Sequence, residues 1–335
     1  MARSLCIVVV SYNAADVLLR ALESARRATL GLAAEIVVVD NDSPDGSADR
    51  VAEHFPGVRL FRRPNFGFAA GVNHGVAATA ADTVLLLNPD CFVDAAALRT
   101  CLETLESGDD IAAVSCRMVN EHGAPMMSAR PFPTLSTYLL ERLGGASDYP
   151  RVPEPPAPVD VDSATGAFVL LTRRAWNDIG PFHEGFFLYF EETEWFWRAK
   201  LGGWRVLHEP RATVVHLGAQ STKKGVGDGS PVVSANGMLL RAALDSRELY
   251  WRRCYGLGAT LAMRAATLAL ALVSIALLVP AAMLGRARAR ARLPVETLRA
   301  RHALHLAGPP LNPGRKKKSG TPRKDFVEPR GDPPR

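Results

Sequence analysis

Apolar runs alternate with amphipathic segments along the first third of the chain. LCIVVVSYN (5–13) is rich in β-branched residues and ends in polar ones, which is typical of a buried parallel strand. Residues 15–28 then repeat apolar side chains at a helical period. The runs 35–47, 58–64 and 83–93 predict further strands, each followed by a segment that favours a helix. This alternation predicts an α/β fold whose mostly parallel central sheet is flanked by helices.

The pattern is less regular in the second half of the chain. Residues 146–162 hold five prolines and predict an irregular connection or flap. Residues 164–180 predict a strand that leads into a helix, and 204–218 predict a strand, a turn and a second strand that ends at His216. Between them, FLYFEETEWFWR (187–198) sets three glutamates among six aromatic residues. Such a placement favours either a structural ion pair or a partly desolvated catalytic carboxylate.

A long apolar segment covers residues 265–285, which carry no charge over 21 positions. About 20 residues of helix cross the hydrocarbon core of a bilayer. Arg264 precedes the segment and RARARAR (286–292) follows it. The segment is compatible with a single span, with an interfacial or re-entrant helix, or with the core helix of a soluble protein. The polar, proline-rich residues after Gly308 predict a disordered tail.

The charge of the chain is concentrated at its C-terminal end. The formal net charge is +6, but residues 286–335 hold 14 basic and 4 acidic residues, so the preceding part carries −4. A basic tail beside an apolar segment indicates anionic lipid rather than nucleic acid as a partner. Five cysteines without a CxxC pair favour free thiols in a reducing compartment. The first apolar run is too short for a signal peptide, so we expect no export.

Polar residues follow three of the predicted strands. The carboxyl ends of parallel strands line the ligand crevice of open α/β sheets, so we expect these residues to lie near one another. Asn88 and Asp90 could bind Mg²⁺ or Mn²⁺ together with substrate phosphates, or could form a simple turn. Residues 40–43 could contact a nucleotide or form an Asx turn. The residues at the strand ends are Tyr12, Asn13, Asp40, Asn41, Asn88 and Asp90.

Two further segments carry candidate chemistry. Residues 65–75 are a glycine-rich helix start that could cradle a phosphate, but they match neither GxGxxG after a first strand nor a GKS/GKT loop, which disfavours a dinucleotide-binding dehydrogenase. Glu191 and Glu194 would share one helix face, and Glu194 stands four residues before Arg198, the spacing of a helical ion pair. His216 could bind a metal or could simply pack at a strand end.

Six motifs occur in a fixed order: SYN, VDN, NFGFAAGVN, NPD, EETEW and HLGAQS. In this order they resemble the nucleotide-sugar-binding fold of family 2 glycosyltransferases, most closely the bacterial rhamnosyltransferase-like members, over roughly residues 4–255. The resemblance implies a GT-A glycosyltransferase domain over 1–255. With the C-terminal composition it predicts an apolar membrane-associated or transmembrane helix with a basic flank over 256–292, and a basic, largely disordered tail over 293–335.

The same resemblance implies a role for each motif residue. Glu192 takes the place of the catalytic base, and Asp90 and His216 take the places of metal ligands. Tyr12 is expected to stack near the nucleobase and Asn41 to address its imide edge. The residues expected to bind the nucleotide sugar are Ser11, Tyr12, Asn13, Asp40, Asn41, Asn65, Phe68, Asn73 and Asn88. The residues expected on the acceptor side are Gly166, His183, Glu191 and Trp195.

Three positions depart from the pattern of the family. Asn88 replaces an aspartate, which leaves one negative charge fewer on the ion. Glu192 stands where an aspartate is usual, and the extra methylene moves the carboxylate by about 1 Å, a displacement that can cost about 10²-fold in rate. His183 stands where relatives often have aspartate. These changes favour the second hypothesis, a catalytically inactive relative that acts as a membrane-bound binding or assembly subunit.

The resemblance implies an inverting glycosyltransferase with Mg²⁺ or Mn²⁺ as cofactor. The first-choice donor is dTDP-rhamnose, followed by UDP-sugars, and the acceptor is a glycan or a lipid-linked glycan. Cell-envelope polysaccharide synthesis at the cytoplasmic face of the cell membrane, with anionic lipid and no nucleic acid as partner, is the expected context. A nucleotidyltransferase is disfavoured because SYNAADVLLRA (11–21) lacks an early glycine-rich, basic pyrophosphate loop.

Overall fold

The computed structural model describes residues 4–142, 156–218, 237–285 and 287–304. Its strands are β1 Leu5–Ser11, β2 Ala34–Asp40, β3 Arg59–Arg62, β4 Thr83–Leu87, β5 Cys91–Phe92, β6 Ile111–Val119, β7 Pro125–Met126, β8 Ala129–Arg130, β9 Val159–Asp160, β10 Ser163–Ala164, β11 Phe168–Thr172 and β12 Arg205–His216. Its helices are α1 Ala15–Ala28, α2 Ser47–His54, α3 Phe68–Ala77, α4 Ala95–Glu106, α5 Leu135–Arg142, α6 Arg173–Ile179, α7 Glu191–Leu201, α8 Gly237–Cys254, α9 Gly256–Met283 and α10 Ala287–Ala303.

The central sheet joins a parallel half to a mixed half. Its strand order is β3-β2-β1-β4-β11-β6-β12-β5, with β7 added beside β6 and β9 beside β12. The first four strands in this order are parallel, as the strand–helix alternation predicts. Strand β11 is antiparallel to both β4 and β6. The sheet is therefore mixed beyond β4, where the chain no longer alternates strands with crossover helices.

Strand β1 shows how both faces of the sheet are covered. Successive side chains of a strand point to opposite faces. Cys6 and Val8 pack in the core cluster that includes residues of α3, α6 and α7. Ile7 and Val9 pack in the cluster that includes residues of α1, α2 and α4. All four of these β1 side chains are buried, which explains the uninterrupted apolar run and confirms the prediction of a sheet flanked by helices.

One predicted turn is a bulge within a strand. The sequence predicts two strands over 204–218, whereas β12 is one continuous strand whose register with β6 shifts between Glu209 and Thr213. Pro210 lies at this irregularity, where the missing N–H removes no ladder hydrogen bond. The Glu209 carboxylate accepts a hydrogen bond from the Arg211 backbone N–H at 2.9 Å and one from the Thr104 hydroxyl at 2.6 Å, so the bulge is held by side-chain bonds.

The proline-rich flap predicted over 146–162 lies mostly outside the described residues, and its last part forms β9. The apolar segment predicted over 265–285 belongs to the longer helix α9, which contains Arg264. Among the described residues, α9 is the one helix whose length and apolar composition would allow it to cross a membrane.

The start of the tail predicted from residue 293 is helical, because α10 continues to Ala303. Residues 305–335 lie outside the described part.

The start of α3 depends on a close backbone approach. Gly67 has φ +94°, and a Cβ at this position would lie 2.3 Å from the carbonyl oxygen of Phe187. The next residue, Phe68, donates its N–H to that same oxygen at 2.8 Å. This contact joins the start of α3, beside the parallel half of the sheet, to the segment that precedes α7.

We predict that Gly67→Ala lowers the free energy of unfolding by about 3 kcal/mol, because the substitution adds both backbone strain and a clash. Gly57→Ala is the matched control: no atom lies within 4 Å of its added Cβ and its φ is not positive. The control should change stability by less than about 0.5 kcal/mol. Thermal or denaturant unfolding of the two variants checks this, and equal effects would contradict the assigned role of Gly67.

Candidate active site

The ends of β1 and β2 and the start of α3 form one connected group. Asn41 donates its backbone N–H to the carbonyl of Ser11 at 2.9 Å and its side-chain amide to the carbonyl of Gly67 at 3.2 Å. The carboxylate of Asp40 accepts the N–H of Ser43, three residues on, at 2.9 Å, so a side-chain oxygen satisfies an N–H group of this loop. The structure thus brings together predicted nucleotide-binding residues from two motifs.

The SYN motif ends in an exposed ring and a left-handed residue. Tyr12 is 37% exposed, so an aromatic face is accessible beside the strand end. Asn13 has φ +53°, a conformation that asparagine tolerates better than most residues, and its N–H is donated to the hydroxyl of Ser43 at 3.1 Å. Within the described residues, the buried hydroxyl of Ser11 has no hydrogen-bond partner. Their contacts with a nucleotide stay predictions.

The two asparagines of the glycine-rich segment, Asn65 and Asn73, form different hydrogen bonds within the protein. Asn65 accepts the N–H of Gly67 at 3.0 Å, which shapes the turn into α3, and Phe68 is half-buried at the helix start. The amide of Asn73 is bound to the protein: it donates to the carbonyl of Phe182 at 2.9 Å and accepts the Phe182 N–H at 3.0 Å. Asn73 therefore links α3 to the segment before α7. Because its amide already bonds Phe182, this pairing does not support the predicted contact with the nucleotide sugar.

The predicted metal ligands meet because two strands pair. Residue Cys91 of β5 stands opposite His216 of β12, which places the preceding Asp90 beside the histidine ring. The Asp90 Oδ1 and His216 Nε2 atoms are 3.2 Å apart, and both side chains are largely buried. Asn88 is half-buried at the other end of the turn.

This donor pair fits a divalent ion that also binds substrate. In the described part of the chain no group of three or more His, Cys, Asp and Glu side chains converges on one point. One carboxylate oxygen and one imidazole nitrogen make an incomplete set, which Mg²⁺ or Mn²⁺ usually completes with phosphate oxygens and water. The residues Asp90 and His216 are therefore compatible with an ion that binds together with a diphosphate.

A short series of contacts connects the NPD turn to the glutamates. The N–H of Asn88 is donated to the carbonyl of Ala167 at 2.9 Å. The adjacent Gly166 faces α7, since a Cβ at this position would lie 3.5 Å from Cγ of Glu192. Gly166 and Glu192 are thus neighbours, and both lie next to the strand end that carries Asp90.

Glu194 is the structural member of the three glutamates. Its carboxylate is buried and accepts hydrogen bonds from Arg198 at 3.1 Å and from Arg253 at 2.9 Å. The ion pair predicted from the four-residue spacing to Arg198 is confirmed, and a second cation arrives from α8. These two arginines tie α7 to its neighbours and compensate the buried charge.

Glu191 is buried at the first position of α7 and is only 4% exposed. Its Oε2 has no hydrogen-bond partner among the described residues. Burial raises the pKa of this carboxyl well above its usual range, and the adjacent charge of Glu192 raises the pKa further. The two neighbouring carboxyls therefore differ, with Glu191 favouring the protonated form.

Glu192 has a cationic neighbour that the sequence did not reveal. Nη2 of Arg130 lies 2.7 Å from the Thr193 hydroxyl oxygen, to which it donates, and 3.4 Å from Oε1 of Glu192. Arg130 belongs to the two-residue strand β8, which pairs only with β10. It is separated from Glu192 by 62 positions, so no local spacing could have indicated the contact.

The acceptor-side prediction for Trp195 is wrong. The side chain is fully buried, and its indole N–H is donated to the carbonyl of Gly180 at 2.9 Å. It packs against Trp176 and Phe182, so it belongs to the core beneath α7. Its burial and its bond to Gly180 place the indole in the core rather than at an exposed acceptor surface.

His183 lies in the segment that Asn73 fastens. Its Nδ1 accepts the N–H of Gly185 at 3.1 Å, and its ring packs edge-on against Phe186. Burial lowers the pKa of His183, and the charge of Arg253 lowers it further, which favours the neutral ring. A direct role toward an acceptor stays a prediction.

Residues 6–166 match the model of glycosyl transferase family 2. This part of the chain is similar to that family. The match covers the SYN, VDN, NFGFAAGVN and NPD motifs and ends at Gly166, beside Glu192.

Relatives of this chain include two rhamnosyltransferases. It is 27% identical over 241 residues to the N-acetylglucosaminyl-diphospho-decaprenol L-rhamnosyltransferase of Mycobacterium tuberculosis, which covers 64% of this chain and 76% of the relative. It is 24% identical over 220 residues to rhamnosyltransferase WbbL of Escherichia coli K12, which covers 63% of this chain and 82% of the relative.

A solved structure shows the fold. The crystal structure of GalNAc-T7 with UDP, GalNAc and Mn²⁺ aligns with a TM-score of 0.50 at 17% identity and covers 75% of this chain. The chain spans about half the length of that protein, at 50%. The alignment confirms the GT-A fold of this protein.

We predict that Glu191→Gln makes folding stability less dependent on pH. The raised folded pKa means that this carboxyl's contribution to stability is fully present below its usual pKa of 4.5 and is lost as the pH rises toward the folded value. The variant should therefore unfold at a higher temperature than the parent at neutral pH, and the difference should vanish in acid. Glu53→Gln, an exposed change on α2, should leave the profile unaltered. A constant offset at every pH would contradict the buried neutral state.

We further predict that Arg130 positions Glu192. Arg130→Gln should lower kcat about 10²-fold, because a misplaced base is costly, while KM for the donor changes little. Steady-state kinetics check this with Arg99→Gln, an exposed change on α4, as the control. A raised donor KM with unchanged kcat would indicate instead that Arg130 contacts the donor.

Proposed function

We propose that this protein is an inverting, metal-dependent glycosyltransferase that moves rhamnose from dTDP-rhamnose to a lipid-linked glycan acceptor. Family 2 relatives support sugar transfer in glycan synthesis. The observation that carries the proposal is a set of three contacts, which together bring the candidate metal ligands close to the candidate base. Asp90 meets His216 at 3.2 Å, Asn88 bonds Ala167 at 2.9 Å, and Gly166 opens directly onto Glu192.

The donor assignment rests on the named relatives. Both rhamnosyltransferases cover more than three fifths of this chain. dTDP-rhamnose is therefore the first choice, and UDP-sugars are the next. The exposed ring of Tyr12 would stack on the nucleobase, and Asn41, held by Ser11 and Gly67, would address the base edge.

The proposed cofactor is Mg²⁺ or Mn²⁺, bound by Asp90 and His216. When bound, the ion would neutralise negative charge on the diphosphate leaving group. With Asn88 in place of a second aspartate, the protein itself supplies only one carboxylate at this turn. The diphosphate would therefore contribute a larger share of the negative charge around the ion.

The reaction uses Glu192 as general base. Its carboxylate accepts the proton of an acceptor hydroxyl while the hydroxyl oxygen forms a bond to the anomeric carbon. The bond from that carbon to the diphosphate oxygen breaks, and the nucleoside diphosphate leaves with the electron pair. Attack from the face opposite the leaving group inverts the configuration. Arg130, which is bonded to Thr193, holds the base in place, and burial raises the pKa of the adjacent Glu191, which favours its protonated form.

The acceptor and the location follow from the relative in M. tuberculosis and from the C-terminal helices. That relative is named for a diphospho-decaprenol acceptor. A lipid-linked acceptor would require the enzyme at the cytoplasmic face of the cell membrane, and α9 supplies an apolar surface for that location. The product would enter cell-envelope polysaccharide.

A second candidate is an inactive membrane-bound binding or assembly subunit. The substitutions that favour it are Asn88, Glu192 and His183. Glu192 is nevertheless adjacent to Gly166 and Arg130, so a carboxylate is available at the crevice despite its extra methylene. This placement favours the active enzyme.

The purified protein, incubated with Mn²⁺ and a panel of nucleotide sugars, should release a nucleoside diphosphate from dTDP-rhamnose. Glu192→Gln should lower kcat by about 10²–10⁴-fold and still bind the donor, because the amide cannot accept the proton. Asp90→Asn should weaken metal-dependent donor binding in calorimetry. Glu23→Gln, an outward-facing change on α1, is the matched control with full activity.

The outcomes separate the two candidates. Turnover that Glu192→Gln abolishes supports the transferase. Donor binding without turnover, in the presence of a polyprenyl-diphosphate-linked acceptor, would favour the binding subunit. Preferential turnover of a UDP-sugar would retain the mechanism and replace the donor.

A further inference from the structure

Helix α9 has one exposed face that is apolar over its whole length. Its exposed side chains recur every three or four residues, and none of them is charged. A continuous apolar face of this length marks an interaction surface. Residues on this face, named the α9 face below, are Leu257, Leu261, Ala265, Ala269, Leu272, Ala276, Pro280 and Met283.

The opposite side of α9 is attached to the catalytic domain. A buried stripe includes Met263, Thr267 and Ala271. The hydroxyls of Thr267 and Tyr138 of α5 lie 2.8 Å apart. Thr267 is close to the middle of the helix, so the domain holds α9 near its midpoint. A helix that crossed the bilayer would place this midpoint at the centre of the hydrocarbon, about 15 Å from either edge.

Helix α10 folds back along α9. The turn contains Gly285 with φ +81°. Far from that turn, Arg264 of α9 donates to the carbonyl of Ala303 at 2.7 Å. Each arm between the turn and this contact is about 30 Å long at the rise of an α-helix. The two helices therefore lie together along their length as a hairpin.

Helix α10 is too charged to accompany a spanning helix. Arg288, Arg292 and Arg301 are exposed on it, and Glu296 is buried beside Arg299 at 2.6 Å. Glu296 and Arg299, which lie away from the turn along the hairpin, would have to enter the hydrocarbon core if α9 crossed the membrane. Ionisable groups at that depth are costly and seldom face lipid. The hairpin thus excludes the single span that composition alone allows.

We infer that the α9–α10 hairpin lies flat in the interface of an anionic leaflet. The α9 face enters the boundary of head groups and acyl chains, while Arg288 and Arg292, four residues apart on α10, contact acidic head groups. Helix α9 supplies the apolar area that enters the interface, and the exposed arginines of the paired α10 supply the attraction to acidic lipid. The inference rests on the proposed membrane location and assigns how the protein is attached there.

Flotation of the full-length protein with lipid vesicles is the first test. We expect binding to vesicles of phosphatidylglycerol and phosphatidylcholine, and much weaker binding to phosphatidylcholine alone. Each arginine contributes about fivefold to binding of acidic lipid, so Arg288→Gln with Arg292→Gln should lower the partition coefficient about 30-fold. Arg26→Gln with Arg27→Gln on α1 is the matched control and should float as the parent does.

Depth measurement by spin-label relaxation is the second test. Nitroxides are placed at Leu257→Cys, Ala269→Cys and Met283→Cys in a Cys254→Ser background. The other four cysteines are buried and poorly accessible to the label. An in-plane helix gives similar shallow depths of about 5–10 Å at the three sites. A deep signal at position 269 between two shallow ends would overturn the inference in favour of a span.

The remaining outcomes are also decisive. Failure to float, with dimers seen by light scattering, would show that a second copy covers the α9 face and would overturn the inference. Equal binding to both vesicle compositions would overturn the arginine contacts. Donor turnover in solution is measured separately, so loss of flotation with retained turnover refutes the membrane attachment without refuting sugar transfer.

Discussion

Strand β11 is the constraint on which the rest of the structure depends. It lies antiparallel between β4 and β6 and so joins the parallel half of the sheet to the mixed half that ends in β5. Its pairing places Phe168 opposite Leu87, which brings Ala167 to the N–H of Asn88 and Gly166 to Glu192. The geometry of the whole crevice follows from one strand register, because a slip by one residue would turn every side chain to the other face.

The segment EETE (191–194) at the start of α7 shows how neighbouring carboxyls acquire different roles. Glu191 is buried and favours its protonated form, Glu192 has Arg130 within 3.4 Å, and Glu194 is bound by two arginines. Burial and cation contacts, rather than residue type, distinguish the three. The aromatic residues around them are mainly core, since Trp195, Phe196 and Trp197 are all buried. They anchor the helix whose first turn carries the proposed chemistry.

Helix α8 connects this chemistry to the C-terminal hairpin. Arg253 contacts Glu194, and the hydroxyl of Ser246 donates to the carbonyl of Leu188, just before α7. Asp245, also on α8, accepts a hydrogen bond from the ring of His302 of α10 at 2.8 Å. A hairpin in the membrane interface would therefore hold the catalytic helix at a set distance from the leaflet. Such an arrangement suits an acceptor whose reacting sugar is tethered to lipid.

The local periodicity of apolar and polar residues was enough to predict several helices and strands of the fold. The boundaries of α1, the apolar run of β1 and the polar strand ends follow from side-chain patterns that span only a few residues. The order of six motifs indicated the family and its fold. The ion pair of Glu194 with Arg198 was predictable because both residues lie on one helix.

The tertiary structure alone decided which residues share an environment. Arg130 reaches Glu192 across 62 positions, Trp195 turns into the core, and β12 continues through Pro210 as a bulged strand. Composition left three placements open for the apolar segment, and only the contacts of α9 with Tyr138 and α10 distinguish them. Burial, pairing and pKa depend on which distant segments meet, and no short stretch of sequence carries that information.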